Sequence, residues 1–311
     1  MQNRSVAIIC HGGAGVHQDK PAAAEGLKEA LETAYRLLLQ SAYALEVVVE
    51  AVRILEDNPL FNAGTGSSLT IDGRVEMDAS VMTQDGRFGA VGAISEVRNP
   101  ILVAQKVMTE TDHLLLCDAG AVQFARKMGF EPYDPTTEKA RQKLNLVLEQ
   151  GSPYFPKMKQ LLNRSASIAE PEQTGLSGSG TVGAVAIDKH GNLAAATSSG
   201  GIAGRLRGRV GDSAILGAGT YAAPSGAVSC SGHGEEIMRR LLAKDIVDRM
   251  ATLPATTALT LALAEAKRKK VRCGAIGIDA KGTICYGQTT PDFAWGYKVA
   301  DRLFLFTDSN R

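Results

Sequence analysis

The residue best placed to do chemistry is Thr181. A polar stretch from Gly151 to Gly180, rich in Ser, Gly and Pro and without sustained periodicity, ends there, and an apolar run with strand character begins at Val182. A structureless stretch of that length inside a compact chain needs a reason. Breaking the Gly180–Thr181 bond would give Thr181 a free α-amine able to act as base for its own hydroxyl, with a reference pKa of roughly 7.7 to 8 that suits neutral pH. Gly180 has no Cβ and tolerates the strained geometry of a scissile bond. On these features alone, an ordinary Thr opening a strand remains the competing reading.

Other chemistry finds less support. Gly178-Ser179-Gly180-Thr181-Val182-Gly183 matches a dinucleotide-binding G-x-G-x-x-G, and Gly217 to Ala222 is a looser variant. That fingerprint needs a strand before it and a helix opening inside it, whereas the first match follows a polar stretch and enters a strand. His11 stands beside a Gly-rich turn and His233 sits in Ser231-Gly232-His233-Gly234, but no H-E-x-x-H spacing or conventional triad can be assembled. Cys10, Cys117, Cys230, Cys273 and Cys285 are odd in number and scattered, so neither a disulfide framework nor a zinc site is indicated. The triplets Asn3-Arg4-Ser5 and Asn163-Arg164-Ser165 carry no weight without a secretory route.

The elements that must position Thr181 follow from periodicity. Ser5 to Cys10 is a buried strand running into the turn His11-Gly12-Gly13-Ala14-Gly15. Helical spacing predicts a helix pair over Ala23 to Leu39 and Ala44 to Leu55, with Ser41 as cap of the second. Strands are expected at Val75 to Met82 and Gly89 to Ile94, then helices at Pro100 to Met108, Ala119 to Met128 and Glu138 to Glu149. Val182 to Ile187 and Leu193 to Thr197 read as a buried hairpin. Ala227 to Cys230 is a strand, followed by helices at Glu235 to Met250 and Thr256 to Lys270, and strands near Ala275 to Ile278, Thr283 to Tyr286 and Leu303 to Phe306. Strands alternating with paired helices, outside a strict βαβ rhythm, point to helices on stacked, largely antiparallel sheets.

Bulk properties narrow the class. Among 311 residues, 34 Lys plus Arg stand against 33 Asp plus Glu, a balance that argues against nucleic-acid binding. Hydrophobic residues at 44% supply a large core, and 33 glycines against 5% aromatics give backbone turns more weight than aromatic packing. No apolar run suits a secretory core or a membrane span, so a cytoplasmic protein without membrane partners is expected.

Six motifs then occur together and in order: His11 to Gly15, Leu60-Phe61-Asn62-Ala63-Gly64, Met77-Asp78-Ala79-Ser80, Arg98-Asn99-Pro100, Gly180 to Ala186, and Gly208-Arg209-Val210-Gly211-Asp212-Ser213. In this combination, spanning about Ile8 to Tyr297, the chain resembles the plant-type asparaginase family, N-terminal-nucleophile hydrolases with isoaspartyl peptidase and L-asparaginase activity. The resemblance implies an α+β fold, a four-layer αββα sandwich. It implies self-cleavage before Thr181, with residues 1 to 180 as an α part ending in the linker of about 151 to 180, and 181 to 311 as a β part sharing the same core.

The resemblance also distributes roles. Thr181 matches the nucleophile, with Ser199 and Ser231 as the flanking hydroxyls. The Ser231 hydroxyl and Gly232 N–H match the oxyanion donors, and Asn62 a residue that holds the new N-terminus. Arg209 and Asp212 match the groups that take the substrate α-carboxylate and α-ammonium, and Gly234 helps shape that site. Leu55, Glu56, Asn58, Phe61, Ala63 and Thr65 resemble a loop that binds sodium through backbone carbonyls; no cofactor is required. A homodimer of αβ units acting on L-asparagine and β-aspartyl dipeptides is implied.

Several positions depart from the family pattern. Thr is usual at 199 and 231, and Ser there loses the methyl that limits rotamers, so looser positioning is expected. Ser179 precedes Gly180 where larger residues are frequent, and Arg205 and Arg207 stand for the usual Lys and Pro, which predicts slower cleavage. Lys267 to Lys270, with Val271 and Arg272, reads as a solvated helix end. Three rivals follow: glycosylasparaginase, disfavoured by the missing secretory segment; an unprocessed, non-catalytic binding protein, motivated by the three serines; and a taspase-like endopeptidase, disfavoured because Arg209 and Asp212 suit a free amino-acid head.

Overall fold

The computed structural model describes residues 6–15, 17, 19–152, 154–155, 157 and 180–308. Ser179, both glycosylation triplets and most of the 151 to 180 stretch lie outside the described residues.

The first strand, β1 (Ala7–Ala14), is buried along its whole length. Helix α1 (Lys20–Leu39) starts where the Asp19 carboxylate accepts the Ala22 N–H at 2.9 Å, and Leu27, Ala30, Leu31, Ala34 and Leu38 form its buried stripe. Helix α2 (Ala44–Asp57) packs on α1. The expected cap, Ser41, instead holds the turn between the helices with φ +73°; at the helix start the Tyr43 N–H is satisfied by Glu46 at 3.3 Å. Strands β2 (Met77–Thr83) and β3 (Phe88–Ile94) follow, then α3 (Pro100–Glu110), β4 (Leu115–Cys117), α4 (Asp118–Lys127) and α5 (Glu138–Gln150).

Past Thr181 come β5 (Val182–Ile187) and β6 (Leu193–Ser199), paired antiparallel as the hairpin pattern predicts. Then β7 (Thr220–Ala223), β8 (Gly226–Gly232), α6 (Gly234–Met238), α7 (Leu242–Met250), α8 (Ala255–Arg268), β9 (Cys273–Asp279), β10 (Ile284–Gln288), β11 (Phe293–Val299) and β12 (Arg302–Leu305) complete the chain. The helix expected over Glu235 to Met250 is broken at Leu241, which adopts φ +47°. The break lets α7 donate its Ala243 and Lys244 N–H groups to the Ala218 and Gly217 carbonyls at 3.1 and 2.9 Å. Strands β4, β7 and β11 were not expected from the sequence. The last of them pairs with β1 from Ala7 to Ala14.

Two sheets result. The larger has the order β12-β11-β1-β5-β6-β2-β3-β4, and only its β3/β4 pair is parallel. The smaller has the order β10-β9-β8-β7 and is antiparallel throughout. Helices α1 to α3 pack on the larger sheet, α7 and α8 pack on the smaller, and β7, β8 and β9 pack against β1, β2, β5 and β6. Strand alternation decides what enters the space between the sheets. In β8, Ala227 joins the apolar cluster of the large sheet, while Val228 and Cys230 join the cluster around α7 and α8. Ser229 and Ser231, in phase with Ala227, therefore face the large sheet.

Candidate functional site

The antiparallel register pairs Val182 with Ser198, which sets Thr181 beside Ser199. Thr181 Oγ1 donates to Ser199 Oγ at 3.0 Å, and the Gly201 N–H donates to the same oxygen at 3.0 Å. Asn62 pins this turn: its Nδ2 donates to the Gly201 carbonyl at 2.7 Å, its Oδ1 accepts the Ser68 N–H at 2.8 Å, and its own carbonyl accepts the Gly200 N–H at 2.7 Å. On the other side, Ser231 Oγ accepts the Ala14 N–H at 2.9 Å, leaving its proton to donate. Gly180 is wedged between this hydroxyl and the Gly13 backbone, and a Cβ on Gly13 (φ +108°) would collide with Gly180. Gly232 (φ +146°) lies where a Cβ would strike the Arg272 carbonyl oxygen, so its backbone approaches the site as only glycine allows.

Behind Thr181 runs a chain of buried hydrogen bonds whose direction is fixed. His11 Nδ1 lies 3.0 Å from the Thr181 carbonyl, which can only accept, so Nδ1 carries the proton. Burial pushes the imidazole down to about 3, so the ring is neutral and Nε2 must accept from Ser229 at 2.9 Å. Ser229 thereby spends its one proton and accepts from Thr197 at 2.7 Å, which accepts from Thr220 at 2.6 Å. Gly183 leaves room for this chain, since its Cβ would collide with both Ser229 Oγ and His11 Nε2. The sequence showed His11 beside a turn but gave no sign of this partner set, which three separate strands assemble.

Arg209 and Asp212 reach the same cavity from the loop after β6. Buried Asp78 holds that loop, accepting the Gly211 N–H at 2.8 Å and the Ala93 N–H at 2.9 Å. Arg209 Nε and Nη2 already make a bidentate pair with Glu235, both at 2.9 Å, a partner the sequence reading did not include. Its second edge, Nη1 with the remaining N–H of Nη2, makes no hydrogen bond among the described residues. Burial raises the Glu235 carboxyl, but the His233 and Arg209 hydrogen bonds outweigh it and hold the group well below the usual carboxylate range. Asp212 is buried, its Oδ2 has no hydrogen-bond partner among the described residues, and burial pushes its carboxyl up to about 7 against the pull of Arg209. Gly234 sits against both groups: a Cβ there would lie 2.6 Å from Arg209 Nη2 and 2.8 Å from Asp212 Oδ1.

Thr181, Ser199, Asn62, Gly180, Gly232, Arg209 and Asp212 thus line one cavity, with Ser231 and Gly234 in its supporting layer. Two further residues of the wall carry charge: Lys143 from α5, and Arg272. Lys267 to Lys270 and Arg272 are exposed as a solvated helix end should be, whereas Val271 is buried; Arg272 also lines the cavity, its guanidinium 5.6 Å from the Tyr154 ring centre. Arg205 is fully buried and ties three backbone segments, donating to the Ser68 carbonyl at 3.0 Å, the Ile202 carbonyl at 3.2 Å and the Glu76 carbonyl. Leu55 and Glu56 end α2, and Asn58, Phe61, Ala63 and Thr65 lie in the loop after it, where Gly64 takes φ +52°. Among the described residues no group of three or more His, Cys, Asp or Glu converges as metal ligands would, and no helix is long and apolar enough to cross a membrane.

Comparison with known proteins identifies the family. Residues 4–306 match the family model described as asparaginase. The chain is 42% identical to a plant-type L-asparaginase of Pyrococcus abyssi over 303 residues, covering 94% of this chain and 96% of that one. It is 40% identical over 297 residues to an isoaspartyl peptidase/L-asparaginase of Danio rerio, covering 93% and 90%. With an isoaspartyl peptidase of Escherichia coli it shares 39% over 315 residues, covering 93% and 92%. A family match over nearly the whole chain, together with relatives of this identity and coverage, means that the chain belongs to the plant-type L-asparaginase and isoaspartyl peptidase family.

Proposed function

We propose that this protein is a self-processing amidohydrolase that hydrolyses L-asparagine and β-aspartyl dipeptides through an acyl-enzyme on Thr181. The observation that carries the reading is the Thr181 hydroxyl, bonded to Ser199, in a cavity that also presents Arg209 and an unpaired oxygen of Asp212. Arg209 takes the substrate α-carboxylate on its open edge and Asp212 the α-ammonium, so the side-chain amide lies over Thr181.

Hydrolysis of the Gly180–Thr181 bond converts the amide nitrogen of Thr181 into an amine. That amine takes the hydroxyl proton as Oγ1 attacks the side-chain carbonyl, and the Ser231 hydroxyl with the Gly232 N–H stabilises the oxyanion. Collapse expels ammonia, or the amino acid of a dipeptide, with the proton returned by the ammonium. Water, deprotonated by the same amine, then cleaves the aspartyl ester and frees aspartate.

Sheet packing supports the four-layer αββα arrangement, with α1 to α3 and α7 to α8 as outer layers. A structural sodium in the Leu55 to Thr65 loop belongs to this reading. The carbonyls of Phe61, Ala63 and Thr65 accept no hydrogen bond among the described residues, which suits a cation held by carbonyl oxygens, whereas those of Leu55, Glu56 and Asn58 each already accept a backbone N–H. A cytoplasmic homodimer of αβ units completes the proposal.

The test is an intact-mass spectrum after warm incubation, beside Thr181→Ala. Two pieces of about 19 and 14 kDa with Thr181 as a new N-terminus, and release of aspartate from asparagine, are expected. A single uncut 32.8 kDa species in both samples favours the non-catalytic binding protein instead.

A further inference from the structure

Among the described residues, the charges on the cavity wall do not balance. Its acidic member is Asp212, against three cations, Lys143, Arg209 and Arg272. Arg209 is paired with Glu235, and under the proposed function it and Asp212 together receive a zwitterionic amino-acid head. Lys143 and Arg272 remain, and neither meets a carboxylate among the described residues. Asparagine gives them nothing to bind, because its leaving group is ammonia.

Both cations line the cavity. Lys143 projects from α5 one turn before Val147, which lines the same wall. The Tyr154 ring lies 5.6 Å from the Arg272 guanidinium and 5.4 Å from the His233 ring. The Arg272 carbonyl accepts the His233 N–H at 2.9 Å and abuts Gly232, so this side chain starts from the end of the cavity where the reacting carbonyl would sit.

We infer that Lys143 and Arg272 form a subsite for the carboxylate of the leaving amino acid, making β-aspartyl dipeptides with a free C-terminus the preferred substrates. The inference rests on the proposed hydrolase reading. In such a dipeptide the carboxylate carbon lies two bonds from the scissile nitrogen, so an anion enters the cavity beside Thr181 whenever the amide is in place. Burial, with Lys139 and Arg205 adding like charge, depresses the Lys143 amine to about 8, the condition of a cation that lacks its anion.

The experiment compares kcat/KM for β-aspartyl-alanine and for its C-terminal amide on the processed enzyme, with asparagine as a third substrate. The free acid should be favoured by about tenfold, the value of one charge-assisted contact, expressed in KM. In the Lys143→Gln, Arg272→Gln double variant that ratio should fall toward one. Because the ratio is taken within each enzyme, a general loss of activity cancels; the wild-type ratio and single Lys143→Gln decide the matter if the double variant does not fold. Asparagine hydrolysis with a wild-type ratio near one, or with a ratio that survives both substitutions, overturns the subsite and leaves the hydrolase reading intact. No cleavage of any of the three substrates overturns both.

Discussion

At Asp212 one buried carboxylate oxygen has no hydrogen-bond partner among the described residues, and burial raises the carboxyl to about 7. If that oxygen receives the substrate ammonium, the free enzyme must lose the Asp212 proton to bind substrate. The pH profile of kcat/KM then has an acid limb near 7, added to that of the Thr181 amine at roughly 7.7 to 8. Below pH 7 the logarithmic slope should approach two, and Asp212→Asn should reduce it to one while lowering kcat/KM by at least about tenfold. A wild-type slope of one would remove Asp212 from the role. Ser199 offers a second test: it accepts hydrogen bonds from both Thr181 and Gly201, so Ser199→Ala leaves two buried donors without their partner. We expect kcat to fall about 10²-fold in Ser199→Ala, with a smaller change in KM.

Between elements, glycine positions control the contacts. A Cβ on Gly13 would run into Gly180, so Gly13→Ala must displace the bond to be cut or the β1 turn. Slower appearance of the two fragments is expected, followed by mass spectrometry over time; processing at the wild-type rate would show that the turn plays no part in presenting the bond. Gly183 faces the hydrogen-bond chain instead. Gly183→Ala should cost about 1–3 kcal/mol through overpacking against Ser229 and His11, visible as a lowered Tm even in a Thr181→Ala background where no cleavage intervenes. The motifs at 11–15 and 180–186 were legible as sequence. Their meeting was not, because β1 and β5 are joined by register across the sheet and lie far apart along the chain.

For the molecule as a whole, β5 lies between β1 and β6, and β6 in turn pairs with β2, so strands from both sides of position 181 alternate through one sheet. Cutting there severs no strand. The cleaved protein should therefore elute at the same native size as Thr181→Ala and separate into two pieces only on denaturation; native gel filtration beside denaturing electrophoresis checks this. Residues 1 to 180 expressed alone would lack the central β5 and β6, leaving β1 and β2 with unpaired edges, and should be insoluble.

By itself, the sequence determined the local outcomes. Periodicity placed most helices, apolar runs placed most of the buried strands, and the abrupt change at Thr181 marked the position of interest, because all three depend on neighbours along the chain. Residue types in fixed order also carried the family motifs, down to Arg209 and Asp212. Tertiary structure alone decided which groups complete the site: Glu235 on the guanidinium of Arg209, Asp78 under the loop at 211, the neutral His11 behind Thr181, and the unmatched pair Lys143 and Arg272. Each of these depends on strand register, on the facing of two sheets or on burial, and none of those is a property of any one segment.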